Sequence, residues 1–577
     1  MIRFPSLKTL SDSFTETILR YKWVTLIALL KTITLIWVTE IPYNNHPVRN
    51  ELTRLAFIAT LALPLALAIR LSGERQQWKP FISTRLVTLM ILMLSVYYFL
   101  MDSEPNLSET YRFFIFLAGA HLLVSYAPSI GTDDTEGFWQ FNKTLFLQFL
   151  NATLYSGTLY IGLLIAVQTV KYLFGIEYSF LIEMDLFIVV FAFFHTVFFL
   201  SKIPRPADMP SDYPNGLKIF TQYVLLPLEV VYLIILYVYT GKIVVQWQLP
   251  QGRVAYLVLA FSVAGILALL LLYPLRNSAK ERWVGIFSRR YYLALLPLIV
   301  LLFTGIFRRI GDYGVTENRY IVAVLAFWLA GVTIYFLSGK RDDIRWIPIT
   351  LSILCFLLPI GPWNIFAVSR NSQLKQFREI LTKNEILDSR NQIAQRRTVR
   401  KEDREQLISI VNFFRTRNLS GLEPYFTGFK EKDKSDYRYY SSMETTLDKF
   451  VISEKQNNPE NYTSFSSQFA KNAGISLTGF EHALFVDAIE DRRIGDGHVE
   501  IKIEHHGKTW TLLRDKKKIT AWNVADRVKA LQTAFGSHAS DVPQDSLVFT
   551  HGNYKMVFRS LSSSNSYYYG SGVLFYK

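Results

Sequence analysis

From Ala255 to Tyr273 the chain runs AYLVLAFSVAGILALLLLY, nineteen residues without one charged side chain. A helix that crosses a bilayer needs about 20 mostly apolar residues, because backbone amides and carbonyls cannot be left unpaired in hydrocarbon. Ten further stretches resemble this one. The spans expected are 23–40, 53–71, 85–101, 111–128, 147–171, 180–201, 219–240, 254–275, 291–307, 319–338 and 346–367. Lys31 interrupts the first of them, and 85–101 is short.

The runs stop near Val368, and the remainder reads as charged and polar. The expected fold is therefore a membrane all-α bundle of about 11 transmembrane helices followed by a soluble α+β C-terminal domain. Four regions are expected: a cytoplasmic N-terminus at 1–22, the polytopic bundle at 23–367, a helical stalk at 368–434 and an α+β domain at 435–577. The whole-chain averages, 50% hydrophobic and 19% charged with mean hydropathy +0.19, blur this asymmetry. No small-x-small cleavage pattern follows the first apolar run, which reads as a retained anchor.

A net charge of +15 raises the question of nucleic acid. Much of the excess lies between apolar runs, where cations set orientation and meet anionic lipid headgroups. After Val368 there are 32 Lys and Arg against 25 Asp and Glu, unclustered, so the bilayer rather than nucleic acid is the expected partner. Cys355 is the one cysteine and lies within an apolar run, which excludes an intrachain disulfide or a cysteine-based metal site.

With the N-terminus inside, the inner connections hold 20 Lys and Arg and the outer ones 9. That bias predicts a cytoplasmic N-terminus, and an odd number of spans then places the tail outside the cytoplasm. Two connections run against the pattern. The inner 130–143 segment holds Asp133, Asp134 and Glu136, and the outer 308–319 segment carries three arginines.

In the tail, Leu374, Phe377, Ile380 and Leu381 repeat at helical spacing, as do Leu407, Ile410, Val411 and Phe414. The basic run Arg396–Arg400 between them reads as irregular. Val499, Ile501 and Ile503 alternate with Glu500, Lys502 and Glu504, and a turn at His506-Gly507 makes a hairpin with the segment from Thr509. Asn523 is placed to cap a helix through Val528, Leu531 and Phe535. Three strands rich in Tyr, Phe and Val close the chain. There is no internal repeat.

Ionisable groups inside the membrane are the first candidates for chemistry, since a charge at mid-bilayer costs about 2.5–3.5 kcal/mol on insertion scales. Glu229 follows Pro227 near the centre of its span and is a candidate proton- or cation-binding carboxylate; the alternative is a buried partner for Lys31 or for a tyrosine such as Tyr232. Lys31 and His195 complete this candidate polar site. Glu183 and Asp185 lie near a helix end, within reach of headgroups. A second candidate is Arg308, Arg309 and Arg319, which suit a phosphate or carboxylate because guanidinium forms paired hydrogen bonds to such groups. Its alternative is headgroup contact with salt bridges to Asp312 and Glu317. Six of the nine histidines lie in the tail without metal-ligand spacing, and GISLTG at 474–479 has one residue too many for a nucleophile elbow. No catalytic residue, metal or cofactor is assigned. Asn461-Tyr-Thr is a pattern expected by chance.

Six stretches stand out as motifs: GFWQFN at 137–142, YPNGLKIFTQY from Tyr213, LLPL at 225–228, WQLPQG at 247–252, RIGDYGVTENRY at 309–320 and IGPW at 360–363. In this order they resemble an uncharacterised family of bacterial multi-spanning membrane proteins, catalogued as a domain of unknown function. The resemblance covers most of residues 20–380. It implies a bacterial inner-membrane location and carries over no catalytic residue.

The leading expectation is non-enzymatic: envelope transport, sensing or scaffolding through an extracytoplasmic tail. An enzyme acting on a lipid-linked substrate is the second, although the first outer connection is short, with Glu40 and Glu51 at its edges. A coupled transporter built on inverted repeats is the third, although Pro64 and Pro227 do not sit at equivalent places.

Overall fold

The structure is a computed structural model that describes residues 7–42, 45–175, 179–206, 213–246, 254–277, 281–339, 343–427, 429, 439–453, 463–466, 479–488, 493–495, 497–535, 538–539, 542–564 and 567–577. WQLPQG, Asn461 and most of GISLTG lie outside the described residues. The chain forms two compact units. One holds Met1–Lys383 and Ile408–Glu444, the other Asn384–Leu407 and Thr445–Lys577, so the chain passes between them three times.

The first unit is helical. After α1 (Leu7–Arg20) come α2 (Lys22–Glu40), α3 (His46–Arg75), α4 (Pro80–Leu100), α5 (Leu107–Tyr126) and α6 (Thr135–Phe174). The next two spans are composite. In one, a π-helical turn at Val189–Phe194 joins α7 (Leu181–Ile188) to α8 (His195–Ser201); in the other, a π-helical turn at Thr221–Leu225 joins α9 (Asn215–Phe220) to α10 (Leu226–Gln246). There follow α11 (Val254–Leu271), α12 (Arg282–Tyr313), α13 (Glu317–Leu337), α14 (Trp346–Leu357) and α15 (Ile365–Lys383).

Among the described residues, ten helices are long and apolar enough to cross a membrane, and α14 is a shorter apolar one. The eleven apolar runs therefore all become helices. They differ from expectation at their ends: 147–171 becomes α6, 40 residues long, and 291–307 becomes α12, 32 residues long. Polar flanks continue a helix beyond the hydrocarbon wherever a cap does not stop it. The start of α6 is fixed by Asp134, whose Oδ1 accepts the Gly137 amide at 2.7 Å.

Two apolar cores hold the bundle. Leu61, Ala62, Ala66, Leu67 and Leu71 of α3 pack with Tyr21, Val24, Met90 and Phe113. Val258 of α11, Leu295, Leu298 and Leu302 of α12 and Ala326 and Leu329 of α13 form the other. Small residues let these helices approach closely, which is how helices associate when lipid competes for apolar contact. Outward-facing Leu92, Met93, Phe99 and Leu100 of α4 are exposed, as a lipid-facing surface requires.

The tail returns through α16 (Lys401–Thr416) and α17 (Tyr439–Phe450). The basic run expected to be irregular contains strand β1 (Arg397–Val399), paired in parallel with β2 (Val451–Ser453). Local sequence missed it because its partner is far along the chain.

The second unit contains two larger sheets. The first orders β4 (His482–Ala488), β12 (Tyr567–Tyr576), β11 (Tyr554–Ser564), β3 (Thr463–Ser466) and β9 (His538–Ala539), with β10 (Val548–His551) also pairing β11. The second is an antiparallel run of β5 (Arg493–Gly495), β6 (Val499–Glu504), β7 (Thr509–Arg514) and β8 (Lys517–Asn523). The expected hairpin is β6–β7: Val499, Ile501 and Ile503 are buried while the intervening charges are half-exposed. Asn523 caps α18 (Val524–Phe535), its Oδ1 accepting the Asp526 amide at 3.1 Å. Trp510, Ile501, Phe558, Leu574, Val528 and Leu531 form one core shared by both sheets and α18.

Candidate functional sites in the bundle

The described contacts link the connections of the bundle into two polar ends. At the end nearest α1, Arg20 makes paired hydrogen bonds to Glu74 at 3.0 and 2.8 Å and reaches the Ile203 carbonyl at 2.7 Å. Asp134 pairs with Arg75 at 3.1 Å, and Arg345 joins Asp343, Asp133 and the Thr132 carbonyl. Of the acids that ran against the charge pattern at 130–143, Asp133 and Asp134 thus answer cations on neighbouring connections, while Glu136 accepts from Gln140 at 3.0 Å.

Two motifs meet at the same end. The Trp139 indole of GFWQFN donates to the Leu270 carbonyl at 2.7 Å, and the Tyr213 hydroxyl donates to the Leu271 carbonyl at 3.1 Å. The rings stack at 5.6 Å. Both therefore satisfy carbonyls at the C-terminus of α11, which have no partner within the helix. Burial, with Glu281 nearby, pushes the Tyr213 phenol up to about 12, so it remains a donor. A cavity of about 330 Å³ opens beside this point; Arg276 and Arg289 are the charged residues that line it, with Arg276 stacked 3.8 Å from the Tyr273 ring.

At the opposite end, RIGDYGVTENRY forms the tight α12–α13 turn. Gly314 has φ +70°, and a Cβ there would lie 2.8 Å from Gln376. Ser372 accepts the Val315 amide at 2.8 Å, and Gln373 donates to the Tyr313 and Val315 carbonyls at 3.1 and 2.9 Å. Glu317, 1% exposed, receives Arg417 Nε and Nη2 at 2.7 and 3.0 Å. IGPW joins here too, the Tyr320 hydroxyl donating to the Trp363 carbonyl at 3.0 Å.

The three candidate arginines share this region and do different things. Arg319 donates to the Tyr313 and Gly314 carbonyls at 3.0 and 2.8 Å. Arg308 faces Asp312 at 3.7 Å, both well exposed, and Arg309 is half-buried with no ion pair among the described residues. Glu317 binds Arg417, a residue sequence reasoning did not single out, because nothing local marks a partner 100 positions away.

Inside the membrane, the candidate residues fall into two groups. Lys31 lies on α2, which packs against the π-helical turn that ends just before His195 at the start of α8. His195 Nε2 shares a hydrogen bond with Thr153 at 3.2 Å, and its ring meets Phe149 and Phe191. Asp185 accepts Thr39 at 3.1 Å and Glu183 accepts Gln168 at 2.6 Å, both near the helix end. Glu229 stands apart, paired with neither Lys31 nor Tyr232. It is buried on α10, and its Oε2 has no hydrogen-bond partner. His195 and Glu229 each follow a π-helical turn, a feature frequent at functional sites.

Among the described residues no cluster of His, Cys, Asp and Glu could hold a metal ion.

A family model described as Domain of unknown function (DUF4153) matches residues 30–389. The chain is also similar to uncharacterized protein PM1469 of Pasteurella multocida (strain Pm70), 28% identical over 250 residues. That stretch is 42% of this chain and 42% of that protein, so less than half of the relative's length is covered. No solved structure matches.

Proposed function

The chain belongs to the DUF4153 family, and from that premise we propose a multi-pass protein of the bacterial inner membrane, N-terminus in the cytoplasm, that carries its C-terminal α+β unit outside and serves envelope sensing or scaffolding. The observation that carries this reading is the Glu317–Arg417 pair. The tail leaves the bundle after Lys383, returns at Ile408, and anchors a buried guanidinium on the α12–α13 turn. A simple appendage has no need of such a return. The motif of greatest polarity, 309–320, is engaged in holding that segment: Glu317, Arg319 and Tyr320 all have partners within the fold.

An enzyme on a lipid-linked substrate is less well supported. Glu51, at the edge of the first outer connection, is engaged by Arg54 at 2.7 Å and by the Tyr98 hydroxyl. The bacterial relative and the excess of Lys and Arg on the α1 side support the location and orientation. With α14 counted as a crossing, the spans number eleven and the tail emerges opposite the N-terminus.

Reporter fusions at Lys577 test this. Alkaline phosphatase fused there is expected to be active, and green fluorescent protein exported by the general secretory route dark. A fluorescent fusion with inactive phosphatase overturns the orientation and with it the extracytoplasmic role.

A further inference from the structure

The buried acid at Glu229 has no place in that scheme. We infer that Glu229 is an intramembrane proton-binding site, a buried carboxylic acid held neutral on α10.

The argument begins with what surrounds it. Glu229 is 5% exposed, and no cation pairs with it among the described residues. Its Oε2 is buried without a donor. Two buried hydroxyls of the helices that pack on α10 are engaged elsewhere: Ser262 donates to the Val258 carbonyl at 2.7 Å, and the Tyr291 hydroxyl to the Ser262 and Phe261 carbonyls at 3.2 and 3.4 Å. An ionised carboxylate only accepts hydrogen bonds and needs donors; a neutral acid carries its own. A bare charge at this depth is also costly, by several kcal/mol per group. The arrangement fits the acid.

Of the helices packed against α10, α12 carries Arg289 and Arg290 just before Tyr291, and among the described residues neither makes an ion pair with Glu229. Between Val254 and Leu271, α11 has no charged residue, and its one titratable group, Tyr256, lies by Arg319 near the helix end. On α12, Tyr291 is buried with its hydroxyl bonded to α11 carbonyls, and Tyr292 beside it stacks on Phe336 at 4.9 Å. On α10 itself Tyr232 is half exposed on the outer surface.

A path for the proton has a structural origin as well. Thr221–Leu225 is π-helical and Pro227 follows, so the regular ladder of hydrogen bonds is disturbed for the two turns before Glu229.

Infrared difference spectroscopy on the full chain in lipid vesicles decides the matter. Wild type at neutral pH is expected to show a protonated carboxyl C=O band that E229Q lacks, that E229D shifts, and that disappears reversibly in alkali. If E229Q does not fold, the shift in E229D alone carries the assignment. Superimposable wild-type and E229D spectra in this region, or a wild-type band set by sodium concentration and not by pH, overturn the inference. This outcome is independent of where the tail lies.

Discussion

Arg417 and Glu317 are joined by two hydrogen bonds of 2.7 and 3.0 Å across 100 residues of chain, with 10% and 1% of their side chains exposed. Arg417 also lies over the Phe413 ring at 3.9 Å. A buried pair of this kind contributes little net stability when both members are exchanged for apolar groups, but removing one leaves an uncompensated charge, at a cost of about 3–5 kcal/mol. Glu317→Gln and Arg417→Met are each expected to lower the thermal stability of the detergent-purified chain strongly. The double variant should be less damaging than the sum. Additive losses in a double-mutant cycle would show that the pair does not hold the returning segment.

Trp139→Phe and Tyr213→Phe each remove a donor from the carbonyl end of α11. Leaving one buried acceptor without its bond costs about 1–3 kcal/mol. Both variants are expected to unfold earlier in a thermal scan, Trp139→Phe more so because its bond is shorter, 2.7 against 3.1 Å.

Gly265→Ala is expected to disturb the packing of α11 on α12 at Tyr291. A Cβ there would fall 1.9 Å from the Tyr291 hydroxyl and 2.2 Å from its ring carbon, so α11 and α12 must move apart. Overpacking of this sort costs about 1–3 kcal/mol. Combining it with Tyr291→Leu should recover part of the loss, measured as the midpoint of thermal aggregation.

In the second unit, Gly507 closes the β6–β7 turn at φ +79°, and a Cβ would lie 1.9 Å from the Tyr568 carbonyl oxygen. Gly507→Ala is expected to destabilise this unit in the full chain and to expose its backbone to proteolysis. Trp510→Ala should do the same by about 3–5 kcal/mol, since the indole is fully buried.

The Glu281 carboxyl is held below its ordinary value of 4.5 by the hydrogen bond from Lys218, then by that from Trp283. A depressed folded-state value contributes stability above the unfolded value and loses it as the pH falls through the folded one. The contribution should therefore be full at neutral pH, begin to fall near pH 4.5, the unfolded value, and be gone once the pH lies below the folded one. Glu281→Gln is expected to flatten the acid limb of a pH–stability profile in that window.

The sequence by itself determined the elements. Runs of about 20 apolar residues have one stable solution in lipid, so all eleven helices were legible, as were the β6–β7 hairpin, the Asn523 cap and the three closing strands, whose signals are local. What the tertiary structure decided is who meets whom. GFWQFN with YPNG, RIGDYGVTENRY with IGPW, Glu317 with Arg417 and β1 with β2 are contacts between distant positions. The short strand β1 was read as irregular for that reason, its hydrogen bonds coming from residues 451–453. Periodicity reports the face a residue presents, whereas the partner on that face is fixed by the packing of the whole chain.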